Sequence, residues 1–328
     1  MKKLFSVLVM LAAIVLTAGA QSMQVATLSH DGAITSYTMA DALRSAYEAA
    51  VDGDVITLSS GVFNGVHLEK RITVRGAGMG VKVNDSDLYI EPTIIKGQFH
   101  IKADIKDGYN FKMEGVLCSD RVLYEGLESS QFSKCKFREI GYNTGFGSFT
   151  DVTFINCVVE KGFFCSSAGM NFYGCYLNNI TFGANSTYAL TNCILVVNLY
   201  SEPNEGCVLR NSVVIKNDGN DWRPGCSLAY NTVCVGSLRD TGTLYKVLQQ
   251  NNGTLLPAGT QLFKEGTFYQ LTDEAKKYLG SDGTEVGIYG GSLPFDPTPT
   301  NPQIVKFNVA PKTTADGKLS IDIEVNAK

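Results

Sequence analysis

The feature that most constrains the fold is a four-residue unit that recurs through the middle of the chain. The copies are Phe132-Ser-Lys-Cys135, Phe154-Ile-Asn-Cys157, Phe172-Tyr-Gly-Cys175, Leu190-Thr-Asn-Cys193, Leu209-Arg-Asn-Ser212 and Leu228-Ala-Tyr-Asn231. Successive copies begin 22, 18, 18, 19 and 19 residues apart. A β-rich repeat of about 20 residues is typical of a solenoid, in which each coil packs only against its neighbours.

Stacking explains the composition of the unit. Neighbouring coils would lie about 4.8 Å apart, so that equivalent residues form columns through the structure. The first positions of the unit would then form one buried apolar column, from Phe154 to Leu228. We therefore predict an all-β fold, a single-stranded right-handed parallel β-helix with an N-terminal capping helix and a C-terminal β-hairpin.

The third position of the unit indicates a sharp corner between strands. It holds Asn156, Gly174, Asn192 and Asn211 in the central copies, with Lys134 and Tyr230 as departures at the two ends. Asn and Gly tolerate a left-handed backbone better than other residues, and a two-residue corner needs that conformation. We expect these residues to form a structural ladder rather than a binding site.

The fourth position of the unit holds four of the nine cysteines. In order it is Cys135, Cys157, Cys175, Cys193, Ser212 and Asn231. Stacked cysteines have parallel Cα–Cβ directions, which fit disulfide geometry poorly. The chain has nine cysteines and no CxxC pair. We therefore expect buried free thiols that behave as small apolar residues.

The first 20 residues have the layout of a secretory signal peptide. Two lysines are followed by an apolar run from Leu4 to Leu16 and by Ala18-Gly19-Ala20, where cleavage is expected. The formal net charge of −4 would become −6, because both lysines leave with the signal. We expect a secreted or periplasmic protein with no lipid-anchored cysteine, no membrane span and no nucleic-acid partner.

Four parts of the chain follow from this interpretation. Residues 1–20 are the signal peptide, 21–292 the β-helix with its capping helix near 38–50, 293–303 a proline-rich linker, and 304–328 the C-terminal hairpin. Thr38 is the expected N-cap of the first helix. A second short helix is expected over Leu271–Leu279.

Two stretches resemble a known superfamily. Gly53-Asp54-Val-Ile-Thr-Leu58 followed by Lys70-Arg-Ile-Thr-Val-Arg-Gly76 resembles the opening coil of pectate-lyase-like right-handed β-helix proteins, which include chondroitinase-B-like polysaccharide lyases. Asp282-Gly-Thr-Glu-Val-Gly-Ile-Tyr-Gly-Gly291 resembles the closing motif of secreted β-helix proteins from polysaccharide-degrading bacteria. The resemblance spans residues 38–291 and implies the architecture. Lyases of that superfamily use acidic calcium ligands and a basic residue, but none of their catalytic motifs matches this chain.

Three acidic residues form a candidate metal site. Glu202, Asp221 and Asp240 follow one another at intervals of 19 residues, which matches the local coil step and would stack them in an outward column. Stacked carboxylates repel one another unless a cation separates them, and hard oxygen ligands suit Ca²⁺. The alternative is that all three are solvated turn residues.

The same loops supply the other candidate site residues. Arg223 and Arg239 are candidate catalytic residues, and Trp222 and Tyr200 are candidate substrate-binding residues that could stack on sugar rings. The three histidines of the chain lie outside the repeat, so we expect no histidine chemistry.

Three functions remain open at this stage. The first is binding of an extracellular polysaccharide on one flank, and the second is calcium-assisted lysis of uronic-acid glycans. The third is a structural or adhesive surface protein without catalysis. The fold hosts all three, so the activity must be argued from a site.

Overall fold

The computed structural model describes residues 24–39, 41–85, 87, 89, 91–102, 111–141, 149–164, 167–197, 204–216, 225–236, 238, 243–301, 303–309 and 321–326. The helices are α1 (Ala42–Ala49) and α2 (Thr243–Gln250), with a 3₁₀ turn at Ala275–Lys277. The strands in chain order are β1 (Val25–His30), β2 (Ala33–Thr38), β3 (Val55–Leu58), β4 (Gly61–Asn64), β5 (His67–Leu68), β6 (Thr73–Arg75), β7 (Thr93–Lys96), β8 (Phe99–Lys102), β9 (Lys112–Glu114), β10 (Val116–Glu125), β11 (Leu127–Glu128), β12 (Gln131–Ser133), β13 (Lys136–Gly141), β14 (Phe149–Thr150), β15 (Thr153–Ile155), β16 (Val158–Val159), β17 (Gly162–Phe164), β18 (Met170–Tyr173), β19 (Tyr176–Asn178), β20 (Ile180–Phe182), β21 (Tyr188–Thr191), β22 (Ile194–Val197), β23 (Cys207–Arg210), β24 (Val213–Lys216), β25 (Leu228–Tyr230), β26 (Val233–Val235), β27 (Thr254–Leu256), β28 (Gln303–Val309) and β29 (Ile321–Asn326).

The strands wind into a parallel β-solenoid, as the repeat predicts. Sheet A has the strand order β2-β1-β3-β6-β9-β12-β15-β18-β21-β23-β25. The main row of sheet B has the order β4-β7-β10-β13-β16-β19-β22-β24-β26-β27. A side row of sheet B, built from β5, β8, the second halves of β10 and β13, β17 and β20, forms a third flank. Consecutive coils pair in parallel within each sheet.

The apolar column of the repeat lies in the core. Phe132, Phe154 and Phe172 are fully buried, and their rings stack with centroids 5.0 and 4.8 Å apart. Leu190 and Leu209 continue the column in register. The spacing equals that of hydrogen-bonded strands, so each ring contacts its counterpart in the next coil.

The last unit of the repeat departs from its prediction by one residue. Leu209 pairs with Ala229, which is buried, whereas Leu228 faces outward and is 36% exposed. The corner falls at Asn231, with a φ of 44°, instead of at Tyr230. This coil, from Leu209 to Ala229, is one residue longer than the preceding coil from Leu190 to Leu209. The corner residue therefore sets its register, rather than the larger apolar side chain.

The corners themselves have the predicted backbone. Left-handed φ angles between 50° and 59° occur at Lys134, Asn156, Gly174, Asn192 and Asn211. Even the Lys134 departure therefore keeps the conformation. A left-handed residue at every turn lets the chain reverse direction within two residues.

The cysteines after the corners are buried free thiols, as predicted. Eight of the nine cysteines lie in the described part of the chain, and all eight are buried and unpaired. The thiols of Cys157, Cys175 and Cys193 each donate to the carbonyl oxygen of the inward residue one coil earlier, at 3.3–3.4 Å. Ser212 makes the same contact through its hydroxyl at 3.2 Å. The position selects a small side chain that can donate weakly to a neighbouring coil.

Both ends of the core are capped. The N-terminal cap is the antiparallel hairpin β1–β2 together with α1, whose Ala42, Leu43 and Ala46 are buried. The predicted N-cap was wrong, because Thr38 belongs to β2 and the helix begins only at Ala42. At the other end α2 buries Leu244 and Leu248 against the last coil.

Two elements near the C-terminus differ from the sequence prediction in opposite ways. The helix expected over Leu271–Leu279 is only the 3₁₀ turn Ala275–Lys277, whereas α2 was not predicted. The C-terminal hairpin is present as antiparallel β28 and β29. No helix in the described part of the chain is long and apolar enough to cross a membrane.

Residues 280–301, here called the return segment, run back along the corners toward the N-terminal coils. Ser281 donates to Oδ1 of Asn211 at 3.0 Å, and the amide of Asn156 donates to the Pro294 carbonyl at 3.1 Å. Farther back, Nζ of Lys134 lies 2.6 Å from the Thr298 carbonyl oxygen. The contacts continue to Glu114, bound by Thr300, and to the Gly76 carbonyl, bound by Asn301.

The return segment and the residues before it also cover the outer face of sheet B. Outward side chains of β16, β19, β22, β24 and β26 form a second apolar cluster with this covering chain. Its buried members are Met79, Val158, Tyr176, Ile194, Val213, Ile215, Val233, Val235, Leu262, Leu271, Ala275, Val286, Ile288 and Phe295. One flank of the solenoid is therefore occupied by the protein's own chain.

Candidate functional site

The residues that the sequence singles out for chemistry lie outside the described part of the chain. They are Glu202, Asp221, Asp240, Arg223, Arg239, Trp222 and Tyr200. The cysteines and corner asparagines of the ladder lie in the described part of the chain, at the structural positions given above. The calcium site and its lyase chemistry therefore stay predictions. Within the described residues, no group of three or more His, Cys, Asp or Glu side chains is arranged to hold a metal ion.

The strands that carry those loops are adjacent. β22, β24 and β26 are neighbours in sheet B, with Val197 paired with Lys216 and Ile215 paired with Val235. The three loops after these strands therefore start from stacked positions. Lys216, the last residue of β24, is only 1% exposed. Sequence reasoning missed this buried lysine, although its position two residues after the inward Val214 places it on the core side.

The outer face of sheet A, here called the open face, contrasts with that of sheet B. Two outward columns run along it. The first is Thr57, Arg75, Glu114, Ser133, Ile155, Tyr173, Thr191, Arg210 and Tyr230, and the second is Val55, Thr73, Lys112, Gln131, Thr153, Asn171, Ala189, Val208 and Leu228. None of these described side chains is buried. The face is thus a flat, mostly polar surface of stacked strands.

The C-terminal half of the open face carries its aromatic groups. Tyr173 and Tyr230 lie in the same column, and Tyr230 is 39% exposed. The guanidinium carbon of Arg210 lies 5.8 Å from the centre of the Tyr230 ring. An arginine held against an aromatic ring provides a cation and a flat apolar surface side by side.

The N-terminal half of the open face carries two cations and one carboxylate. Nε of Arg75 lies 4.0 Å from the Glu114 carboxylate, which also accepts hydrogen bonds from Thr300. Lys112 is exposed beside a depression of about 430 Å³ lined by Asp52 and Arg71. Counting Arg210, the two columns hold three cationic side chains and one anionic side chain, although the whole chain is acidic.

A second concave feature lies on the covered flank. A groove of about 490 Å³ separates the outer face of sheet B from residues 259–269. Val196, Ile215 and Val235 form its floor. The hydroxyl groups of Tyr176 and Tyr269 lie 2.7 Å apart at one end, and burial raises the pKa of Tyr176. The described residues that line the groove carry no charged side chain.

The third flank brings two histidines together, which sequence reasoning did not predict. The rings of His67 and His100 stack with centroids 4.4 Å apart, because β5 pairs with β8 in register. Nε2 of His100 lies 3.3 Å from the Glu125 carboxylate. Burial and the neighbouring imidazole lower the pKa of His100. Residues 67 and 100 are 33 apart, which is not a coil step of the central repeat, so their pairing gave no signal in the sequence.

Comparison with protein-family models, with curated proteins and with solved structures finds no match for this chain. The parallel β-solenoid therefore stands on the strand pairing alone.

Proposed function

We propose that this protein binds an extracellular polysaccharide along the open face. The contrast between the two sheets is the observation that carries this proposal. The outer face of sheet B is buried under the protein's own chain, whereas that of sheet A exposes hydroxyl, amide, aromatic and cationic side chains. A polymer with repeating hydroxyl groups can contact the same kind of side chain in each successive coil.

The dimensions and charge of the open face support a long, anionic ligand. The eight strands from β6 to β25 carry the column from Arg75 to Tyr230, a length of about 34 Å at strand spacing. Three cations against one carboxylate favour an acidic glycan over a neutral one. Tyr173 and Tyr230 supply the flat surfaces on which sugar rings stack.

The wider context of the proposal comes from the sequence. Residues 1–20 have the layout of an export signal, which would bring the chain to the periplasm or the cell exterior, where polysaccharides occur. The resemblance of residues 38–291 to pectate-lyase-like proteins agrees with a glycan ligand. N-terminal sequencing of the exported protein would test the first point, and a mature chain that still begins at Met1 would contradict it.

Calorimetric titration with a panel of acidic and neutral polysaccharides tests the function. We expect binding to an acidic glycan, weakened about tenfold, or about 1.4 kcal/mol, by Tyr230→Ala and by Arg210→Gln. Tyr89→Ala and Arg138→Gln are matched controls, because both side chains are exposed but lie outside the open face. Equal effects of the control and test variants, or no binding to any polysaccharide, would overturn the proposal. Release of unsaturated sugar ends during the titration would identify a lyase instead.

A further inference from the structure

Among the described residues, one edge of the sheet A strand at its N-terminal end is unpaired. β2 is the terminal strand of this sheet and pairs only with β1 among the described strands. Five of its six residues are exposed. At the other end of sheet A, the terminal strand β25 packs against α2.

The geometry of the hairpin decides which backbone groups point outward. β1 and β2 are joined by the two residues Asp31 and Gly32, with φ angles of 46° and 80°, as in a two-residue hairpin turn. The closing pair of such a hairpin, His30 and Ala33, exchanges both of its hydrogen bonds. By alternation, the N–H and C=O groups of the even-numbered residues Ile34, Ser36 and Thr38 point away from β1.

The composition of this edge lacks the usual protection against strand pairing. Ala33-Ile-Thr-Ser-Tyr-Thr38 contains no charged residue and no proline, the devices that normally blunt an exposed edge. Ile34 in β2 and Met39 just after it are each 73% exposed, the largest values among the exposed large apolar residues of the described chain. Such an edge is a template for another strand.

We propose that β2 pairs with β2 of a second copy of this chain, antiparallel and across a two-fold axis at Ser36. Side chains must stay on their own face of the sheet, so only registers that pair residues of the same parity are possible. With Ser36 opposite Ser36, Ile34 lies opposite Thr38, and the outward groups of all three residues form six backbone hydrogen bonds. With the axis at Thr35 or at Tyr37 instead, Ser36 pairs with Ile34 or with Thr38, and the outward groups of the two strands form only four hydrogen bonds.

A second copy fits this edge better than an unrelated strand because the edge is self-complementary. A two-fold axis places residues near their own counterparts in the other copy. Charged residues would repel one another there, whereas the uncharged residues of β2 do not. Elsewhere the net charge of −4 favours separation of the copies. The dimer would join two solenoids end to end and continue sheet A across 22 strands. This inference is independent of the proposed glycan binding.

Sedimentation velocity over a range of protein concentrations tests the dimer. One strand pair is a small interface, so we expect a concentration-dependent equilibrium between monomer and dimer. Ser36→Lys and Ser36→Asp should each give monomers, because like charges then meet at the axis. An equimolar mixture of the two variants should regain the dimer, since opposite charges then face each other. Circular dichroism would show that both variants keep the fold.

Ser29→Lys is the matched control. Ser29 lies on the same face in β1, paired with Ile34, but not at the proposed axis. We expect this variant to dimerise like the wild type. A wild-type protein that stays monomeric at the highest concentration would overturn the proposal, as would dimers of Ser36→Lys alone.

Discussion

At the scale of single residues, the corner positions show why part of this fold is legible in the sequence. A left-handed backbone excludes most side chains, so Asn156, Asn192 and Asn211 recur where the coil turns. Lys134 adopts the same conformation without that signal. Its Nζ contacts the Thr298 carbonyl, so a tertiary contact accompanies a residue that local preference would not select.

One residue pair predicts a pH dependence of stability. Nδ1 of His30 lies 2.8 Å from Oδ1 of Asp54. The hydrogen bond and charge of Asp54 raise the pKa of His30. Burial acts to raise the pKa of Asp54, but hydrogen bonds from the Val51 amide and from His30, with the charge of His30, outweigh it, so that the pKa is lowered.

The signs of the two shifts define a window. The raised pKa of His30 stabilises the fold below the unfolded histidine value of about 6.5, and this contribution disappears as pH rises through the folded pKa. The lowered pKa of Asp54 stabilises the fold above the unfolded aspartate value of about 3.9, and this contribution is lost as pH falls through the folded pKa. We therefore expect His30→Gln to change the difference in melting temperature between pH 5.5 and pH 8.5, because it should lower the melting temperature more at pH 5.5 than at pH 8.5. In an Asp54→Asn background, His30→Gln should leave that difference unchanged; an equal effect in both backgrounds would contradict the pairing.

At the scale of elements, the return segment explains the glycines of the closing motif. A Cβ atom on Gly291 would lie 2.5 Å from Oδ1 of Asn192, and one on Gly290 would meet the carbonyl oxygen of Glu285 and the amide of Asn192. Close approach of the segment to the corners therefore requires the absence of a side chain. The sequence shows that the motif is rich in glycine. It does not show which surface the glycines approach, because that depends on contacts between residues far apart in the chain.

Gly291→Ala tests this close approach against a control with the same backbone. Gly291 and Gly283 have φ angles of 77° and 78°, so Ala at either position carries the same left-handed strain of about 1–2 kcal/mol. Only the Gly291 substitution also meets Asn192, because the space around Gly283 is open. We expect Gly291→Ala to lower the free energy of unfolding by about 1–3 kcal/mol more than Gly283→Ala, measured by urea denaturation. Equal losses would show that the approach is unimportant.

Other elements show the limits of the sequence pattern. The ladder predicts the stacked strands because every coil repeats the same demand on size and polarity. The coil that contains Ala229 has one residue more before its anchor than the sequence pattern predicts. The choice of Leu228 as the anchor hid this difference. α2 has only Leu244, Val247 and Leu248 as its apolar positions and occurs once, so no repetition reinforced its signal. The acidic and aromatic site candidates lie in loops whose register the ladder does not specify.

At the scale of the whole molecule, the solenoid has two apolar cores that are built differently. The inner core extends through consecutive coils, whereas the outer cluster depends on a covering chain with little regular structure. Contacts in a solenoid are mainly between neighbours, so regions can open separately. We therefore expect the return segment to open locally before the coils unfold.

Phe295→Ala tests this separation of stability. Phe295 is 4% exposed and stacks on Phe268 with ring centroids 5.0 Å apart. Removing a buried Phe ring costs about 3–5 kcal/mol, so hydrogen exchange in the return segment should become at least 100-fold faster. Amides of β15 and β18 should keep their protection. Leu293→Ala is the control, because this side chain is 44% exposed; faster exchange throughout both sheets would contradict local opening.

The direction of the return segment also sets an order of events during folding. Asn301 binds the carbonyl of Gly76, which precedes it by 225 residues. Coils can form one after another along the chain, but this last contact must wait until residue 301 is also available. Until then the corners and the outer apolar face of sheet B stay uncovered. The partly folded chain is thus a growing stack with one unprotected side, and residues 280–301 help to cover that side.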